Sequence, residues 1–512
     1  MGQARVSVPS VAGSKKLAVL AAVYVAVLVI NLDVTIVNVA LPSIATELDA
    51  NTRGLQWIAD GYNLAFAALV LAFGSLSDRY GRRPALIVGL LGFAAASVAG
   101  AMAHGTGELI AARFAMGAFA ALVFPTTLSI ITNAFPDRAQ RAAALGGWGA
   151  VVGLGVAAGP VTGGLLLNHF YWASVFWALA PVAVVAAAAA YLVVPESRED
   201  GVPALDIPGL ALSIALLGAL VYTVIEAPGR GWSSPESLLG FATCVVVAAV
   251  FVAVERRAAN PMLDVALFAD RRFSAASGAV AVTFFALSGF IFLVTQYFQV
   301  LREFSPLSTG ARILPVAGAI AAASMIGGLL APRVGTRAVV VAGLTSFGIA
   351  MAWIAGALGA ATPYWGVIVP QMLLMGTGIG LVSTPATESI MLVLPAARAG
   401  VGSAVNDATR ELGSTLGVAV IGSVFASIFG DRLSGSAFAG TPHAGPAAES
   451  PTLAFTVAGR DASLVVAAQD AFLGGLSAAC VVVAVLCFAA AVVGLAALPG
   501  RSAPATSRSR PS

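Results

Sequence analysis

Seven ionisable residues stand inside stretches that are otherwise apolar: Asp33, Asp60, Arg113, Glu388, Asp407, Arg410 and Glu411. In such surroundings a charge needs a partner or must be neutralised by a proton, so these residues point to ion pairing and proton exchange. A guanidinium keeps its proton, so Arg113 needs an acceptor, and Asp33 or a backbone carbonyl is the natural candidate. Asp33 can alternatively bond Thr35 or Asn38 near a membrane surface, and Asp60 can be an interfacial residue, so a purely structural role is open to each. Asp407, Arg410 and Glu411 fall within one helical turn. A local ion pair and a proton or substrate role are both open to them. Other chemistry finds no footing. No Gly-x-x-x-x-Gly-Lys-Ser/Thr loop is present, which argues against ATP-driven work. Cys244, Cys480 and Cys487 lie within apolar runs without paired spacing, and His104, His169 and His443 are scattered, so no metal or other cofactor is expected. Nor does any nucleophile elbow suggest an enzyme.

Two further groups of residues have mechanical rather than chemical spacing. Gly74-Ser75-Leu76-Ser77-Asp78-Arg79-Tyr80-Gly81-Arg82-Arg83-Pro84 is a short charged hairpin between two long apolar runs. Arginine is costly in hydrocarbon and favoured at a cytoplasmic membrane surface, so the hairpin sets orientation. Its glycines suit a sharp turn, and Pro84 suits the first turn of the next helix. Asp78 beside Arg79, Arg82 and Arg83 reads as a charge-paired latch between two parts of the molecule. The second group is Gly149, Gly153, Gly155, Gly159, Pro160, Gly163 and Gly164. Small residues at this spacing let helices approach without lipid between them, and Pro160 permits a bend.

The elements that must hold these residues are membrane helices. The chain has 512 residues, 59% hydrophobic and 10% charged, with mean hydropathy +0.93, which no water-soluble domain matches. Runs long enough to span lie at 17–41, 55–76, 84–103, 108–131, 142–167, 171–194, 207–227, 237–254, 274–301, 309–330, 338–358, 364–390, 399–428 and 471–497. Asp206 before Pro208, and Ser234 before Pro235, are apt starts for the seventh and eighth. An even number of spans places both termini on one face. The opposite face then holds only Arg53, Arg230, Arg302, Arg312, Arg432 and Arg460, with Arg113 and Arg410 within spans, so the terminal face reads as cytoplasmic. Asp33 lies 16 residues past Leu17, about 24 Å along a helix, in the outer part of its span. Residues 1–16 read as a cytoplasmic lead-in without a removable signal. The Ala/Gly/Ser/Pro-rich 429–470 reads as an external, poorly ordered loop, and 499–512 as a disordered cytoplasmic tail.

The hairpin recurs as Gly328-Leu329-Leu330-Ala331-Pro332-Arg333-Val334-Gly335-Thr336-Arg337, with Pro332 in place of Asp78. Met116-Gly117 with Leu122-Val123 recurs as Met375-Gly376 with Leu381-Val382. The chain therefore reads as an all-α membrane protein of two six-helix halves, 17–194 and 273–498, with a helix pair inserted in 195–272. That architecture suits alternating access around a midplane cavity.

The hairpin resembles the loop 2–3 signature of the major facilitator superfamily. Asn31 to Pro42 resembles the helix-1 motif of its fourteen-helix drug:proton antiporters, and Gln56 to Leu64 is similar to the second-helix sequence of that family. Gly159-Pro160-x-x-Gly163-Gly164 resembles the antiporter motif that separates exporters from sugar symporters. Glu226 to Trp232 is similar to the turn of the same family's inserted pair. The resemblance implies a proton-coupled exporter of hydrophobic, cationic drugs or antibiotics, or alternatively of one dedicated antibiotic or metabolite. It further implies a monomer in a bacterial cytoplasmic membrane, with no cofactor, no nucleic-acid partner and no enzymatic activity. It marks Arg113 as the helix-4 arginine of proton coupling, although Met116 stands where the family has glutamine, which removes one polar group. Asp407 and Glu411 match acidic residues of members that handle cationic drugs.

Overall fold

The computed structural model describes residues 13–198, 205–261, 263–393, 399–498 and 500. Most of the segment 1–16, nearly all of the tail 499–512 and parts of the 195–272 insert lie outside the described residues. The first half comprises α1 (Gly13–Glu47), α2 (Thr52–Tyr80), α3 (Arg82–Ala101), α4 (Thr106–Ala134), α5 (Arg138–His169) and α6 (Ser174–Val193). The insert is α7 (Ile207–Arg230) and α8 (Pro235–Glu255). Then follow α9 (Arg271–Gln296), α10 (Pro306–Val334), α11 (Thr336–Ala357), α12 (Val369–Val393) and α13 (Ala399–Ser434). Two short helices, α14 (Ala444–Glu449) and α15 (Pro451–Ala458), precede α16 (Ala462–Ala497). Fourteen of these helices are long and apolar enough to cross a membrane. Their starts are chemically marked. Asp206 accepts from the Gly209 N–H at the head of α7, and Ser234 from the Ser237 N–H at the head of α8. Each supplies an acceptor to an otherwise orphaned donor of the first turn.

Lipid offers no hydrophobic reward for bringing apolar helices together, so these helices pack by close approach at small residues. The repeat is visible in that packing. Gly117 of α4 lies against the Tyr62 backbone of α2, where an added Cβ would stand 2.9 Å from the Tyr62 Cα. Gly376 of α12 lies likewise against the Val316 carbonyl of α10, at 2.6 Å. The two hairpins match as well. Gly81 and Gly335 both take positive φ, 118° and 94°, a conformation only glycine adopts cheaply. Arg83 donates to the Tyr191 carbonyl near the end of α6 at 2.7 Å, and Arg337 to the Leu498 carbonyl just past α16 at 2.8 Å. In each half, one hairpin arginine ties the second and third helices to the last.

Among the described residues, the hydrogen bonds and ion pairs joining the halves fall at the face away from the termini. Gln56 of α2 donates to the Ala419 carbonyl at 2.9 Å and to Ser423 Oγ at 3.1 Å on α13. Gln299 donates to the Val39 carbonyl of α1 at 2.8 Å. Gly164 of α5 abuts the Pro306 carbonyl, and Gly310 of α10 abuts Pro160. Towards the terminal face α5 has open space beside it: a Cβ added at Gly146, Gly149 or Gly153 would meet nothing within 4 Å. The inserted α7 covers the α2–α13 seam, where Val221, Val224 and Ile225 pack with Leu64 and Ala419. Ser423 Oγ also donates to the Val224 carbonyl at 2.8 Å.

The structure differs from the sequence reading at two places. Residues 429–470 are not a poorly ordered loop. α13 runs on to Ser434, α14 and α15 follow, and α16 begins at Ala462. Phe438, Ala447 and Ala454 are fully enclosed. Apolar side chains at these positions give the segment a footing on the far face. There Asn51, Thr52 and Arg53, at the head of α2, all bond Glu449. The second difference is α1, which continues through Pro42 to Glu47. Asp33 is therefore 14 residues, about 21 Å, from the far end of its helix, and nearer mid-depth than the apolar run implied.

Candidate functional site

Asp33 and Arg113 meet at the centre of the first half. Arg113 Nη1 donates to Asp33 Oδ2 at 2.6 Å, with the two side chains 2% and 0% exposed. Both of the acceptors that the sequence offered are used, because Arg113 Nε also donates to the Ile58 carbonyl at 3.0 Å. The guanidinium lies over the Tyr62 ring at 4.5 Å from its centroid. An enclosed ion pair is held by Coulomb attraction in low dielectric against the large cost of desolvating both charges. It gains stability only while both charges remain. That makes it a switch: a proton on Asp33 removes half of the pair and leaves Arg113 to Ile58 and Tyr62. Asp33 Oδ1 has no hydrogen-bond partner among the described residues.

Helix α5 presents its glycines to the polar side of α1. An added Cβ at Gly155 would come 2.9 Å from the Asn31 Cβ, and one at Gly163 would come 2.8 Å from Ile36 Cγ1. At Gly159 it would run into Thr35 and stand 3.0 Å from the Ile36 N. Pro160 and Gly164 face the other way, towards α10 of the second half. The motif thus has two working faces. One seats α1, which carries Asp33, and the other seals the far end of the seam. Asn31, Thr35 and Asn38 bond carbonyls of their own helix at Val27, Leu32 and Val34. They leave Asp33 to Arg113.

Asp60 is also fully enclosed, with both carboxylate oxygens lacking hydrogen-bond partners among the described residues, so it is not an interfacial residue. In the hairpin, Asp78 accepts from Arg82 Nε at 2.7 Å, and Arg79 rests on the Tyr80 ring. Gly74 packs on Pro125 of α4. Each of these contacts stays within the first half. On α13, Arg410 Nη1 lies 3.8 Å from Asp407 Oδ1 and over Phe284. Glu411 makes no ion pair within 4 Å among the described residues. Glu388 is a correction. It is exposed near the terminal end of α12 rather than buried, because the turn of that helix buries Ser389 and Ile390 in its place.

Two residues of this region were missed in sequence. Tyr62 is 1% exposed and carries the guanidinium of Arg113. Gln56 is enclosed and bridges the halves. A signal was available for both, since a polar tip several residues inside a spanning helix needs a partner there.

Two repeated six-helix bundles, joined at the face away from the termini and holding an enclosed ion pair, define a membrane transporter of the alternating-access class. The chain belongs to the Major Facilitator Superfamily, whose family model matches residues 23–418. It is a transporter rather than an enzyme. It is 36% identical over 398 residues to Multidrug resistance protein Stp of Mycobacterium tuberculosis, covering 78% of this chain and 74% of that protein. To Multidrug efflux pump LfrA of Mycolicibacterium smegmatis it is 34% identical, covering 93% and 95% of the two chains. To the Tetracenomycin C resistance and export protein of Streptomyces glaucescens it is 32% identical, covering 93% and 90%. Among solved structures it shares the fold of a bacterial homologue of the human lysosomal transporter Spinster, in an inward-facing and unoccupied conformation. There the TM-score is 0.67 at 17% identity, over 96% of this chain and all of that one.

Proposed function

We propose that this transporter is a proton-coupled antiporter exporting hydrophobic, cationic drugs or antibiotics from a bacterium, with Asp33 as the proton carrier and Arg113 its partner. The enclosed Asp33–Arg113 pair carries this reading. The chain sits as a monomer in the cytoplasmic membrane with both termini inside, in keeping with the crowding of Lys and Arg on the terminal face. The terminal face then opens to the cytoplasm. Glu411 and Asp407 of the second half offer negative charge to a cation entering there. When the far face opens instead, water reaches Asp33 and a proton can neutralise it. Asp33 then loosens its hold on Arg113, and α1 can shift on the glycine face of α5. Asp60, enclosed without a partner, is the second candidate carrier. The hairpin around Asp78 latches the halves at the terminal face when the far face is open.

The relatives' names support drug export, each being called a resistance, efflux or export protein. A narrower reading, a dedicated exporter of one antibiotic, is favoured by the relative named for tetracenomycin C. One panel separates them: dye efflux and growth inhibition across many compounds in a pump-deficient bacterium, with proton release followed in inverted vesicles. Resistance to many cationic compounds with proton movement supports the broad reading, and resistance to one compound supports the narrow one. Uptake of a solute with no efflux would overturn both.

A further inference from the structure

Arg302 and Arg312 stand together at the far face, where a π-helical turn, Tyr297–Leu301, leads from α9 towards α10. Both guanidiniums stack on Phe304, at 5.2 Å and 4.1 Å from its centroid. Arg312 also lies over Tyr364, at 5.4 Å. Arg302 is oriented by the Thr362 carbonyl at 2.8 Å and by Tyr297 Oη at 3.3 Å. Arg312 donates through Nη1 to the carbonyl and hydroxyl of Ser308, while its Nε is buried with no hydrogen-bond partner among the described residues.

Neither arginine has a carboxylate within 4 Å among the described residues. Two other arginines of the same face are paired: Arg53 with Glu226 and Glu449, and Arg230 with Glu226. Two cations sharing one ring repel each other, and no carboxylate within 4 Å among the described residues offsets that repulsion. The first turn of α10, capped by Ser305, adds the positive end of a helix beside them. The position matters too. Trp365, packed edge-on against Tyr364 at 5.2 Å, is 78% exposed, as befits an aromatic belt at the edge of a bilayer. Guanidinium forks match the oxygens of a phosphate, and a ring beneath them holds the forks in place.

We propose that Arg302 and Arg312, on a floor of Phe304 and Tyr364, bind a phosphate anion at the far face. The source is either the headgroup of an anionic phospholipid in the adjoining leaflet or free phosphate. The site lies away from Asp33 and does not depend on which substrate is exported.

The test compares the parent with Arg302→Gln/Arg312→Gln, purified in detergent and titrated with phosphatidylglycerol, phosphatidylcholine and inorganic phosphate. Native mass spectrometry and thermal stability are the readouts. Phosphatidylglycerol should bind the parent and raise its Tm, phosphatidylcholine should not, and the double variant should bind at least tenfold more weakly. Arg460→Gln, another far-face arginine, should behave as the parent does. If inorganic phosphate alone raises the parent Tm and displaces phosphatidylglycerol, and the double variant responds to neither, the site is a free-phosphate site. Should the double variant fold poorly, Arg312→Lys serves instead: it keeps the charge but loses the fork, and should weaken binding with unchanged lipid-free Tm. Equal phosphatidylglycerol binding by parent and variants, or an equal loss in Arg460→Gln, would overturn the proposal.

Discussion

Removing Asp33 and Arg113 singly and together tests the central pair most directly. Arg113→Ala would leave a fully enclosed carboxylate with no cation, because no other basic group bonds Asp33 among the described residues. Breaking one side of a buried pair costs about 3–5 kcal/mol, most of it the penalty of the uncompensated charge. Asp33→Asn is milder. The guanidinium keeps the Ile58 carbonyl and the Tyr62 ring, and a desolvated cation–π contact offsets about 2 kcal/mol. Asp33→Asn/Arg113→Gln removes both charges and should be more stable than Arg113→Ala, since a neutral replacement of a buried pair is often close to neutral overall. Thermal unfolding in nanodiscs should therefore rank parent and double variant above Asp33→Asn, with Arg113→Ala lowest. Transport should rank differently. Drug-stimulated proton release from inverted vesicles should vanish in Asp33→Asn, in Arg113→Ala and in the double variant alike. Arg113→Lys, which keeps the charge and loses the fork, should retain part of it. Asp33→Asn can still equilibrate drug downhill. Additive stability losses in the double variant would refute the pair as a coupled unit. Parent-level proton release from Asp33→Asn would move the carrier elsewhere, with Asp60→Asn the next variant to measure.

Gly159→Leu should abolish efflux, because its side chain must push α5 from Thr35 and Ile36 at an overpacking cost of about 1–3 kcal/mol; Gly149→Leu, with open space around it, should export normally, and equal efflux by the two would reduce the motif to generic packing. Gly100→Leu, whose nearest contacts are 3.4–3.6 Å, should fall between them. Asp78→Asn removes the negative charge paired with Arg82 and should slow turnover while leaving protein level and drug binding intact; wild-type turnover would discard the latch. Glu449→Ala frees Asn51 and Arg53 from the far-face segment. Exposed pairs are worth about 0–1 kcal/mol, so the far-open population should rise by no more than several-fold, read as spin-label distances across that face. An unchanged distance distribution would show that the seam is held by Gln56 and α5 instead.

The spans, their caps and the repeat were legible in the sequence because hydrocarbon imposes local demands. A crossing needs about twenty apolar residues, its ends need capping, and a hairpin turn with positive φ needs glycine, as at Gly81 and Gly335. The pairing of Asp33 with Arg113 was also within reach, since a cation in a span must find an acceptor nearby. What the sequence did not carry is helix rotation. In a soluble helix an apolar stripe marks the inward face, but in a membrane both the lipid side and the interior are apolar, so the stripe disappears. Hence Glu388 looked buried and is exposed, and the sequence did not place Tyr62 beneath Arg113. The ordering of 429–470 is likewise a tertiary matter. Alanine, glycine, serine and proline suit a loop or short capped helices equally. Only the far face, offering Asn51 and Arg53 to Glu449 and enclosing Phe438, chooses between them.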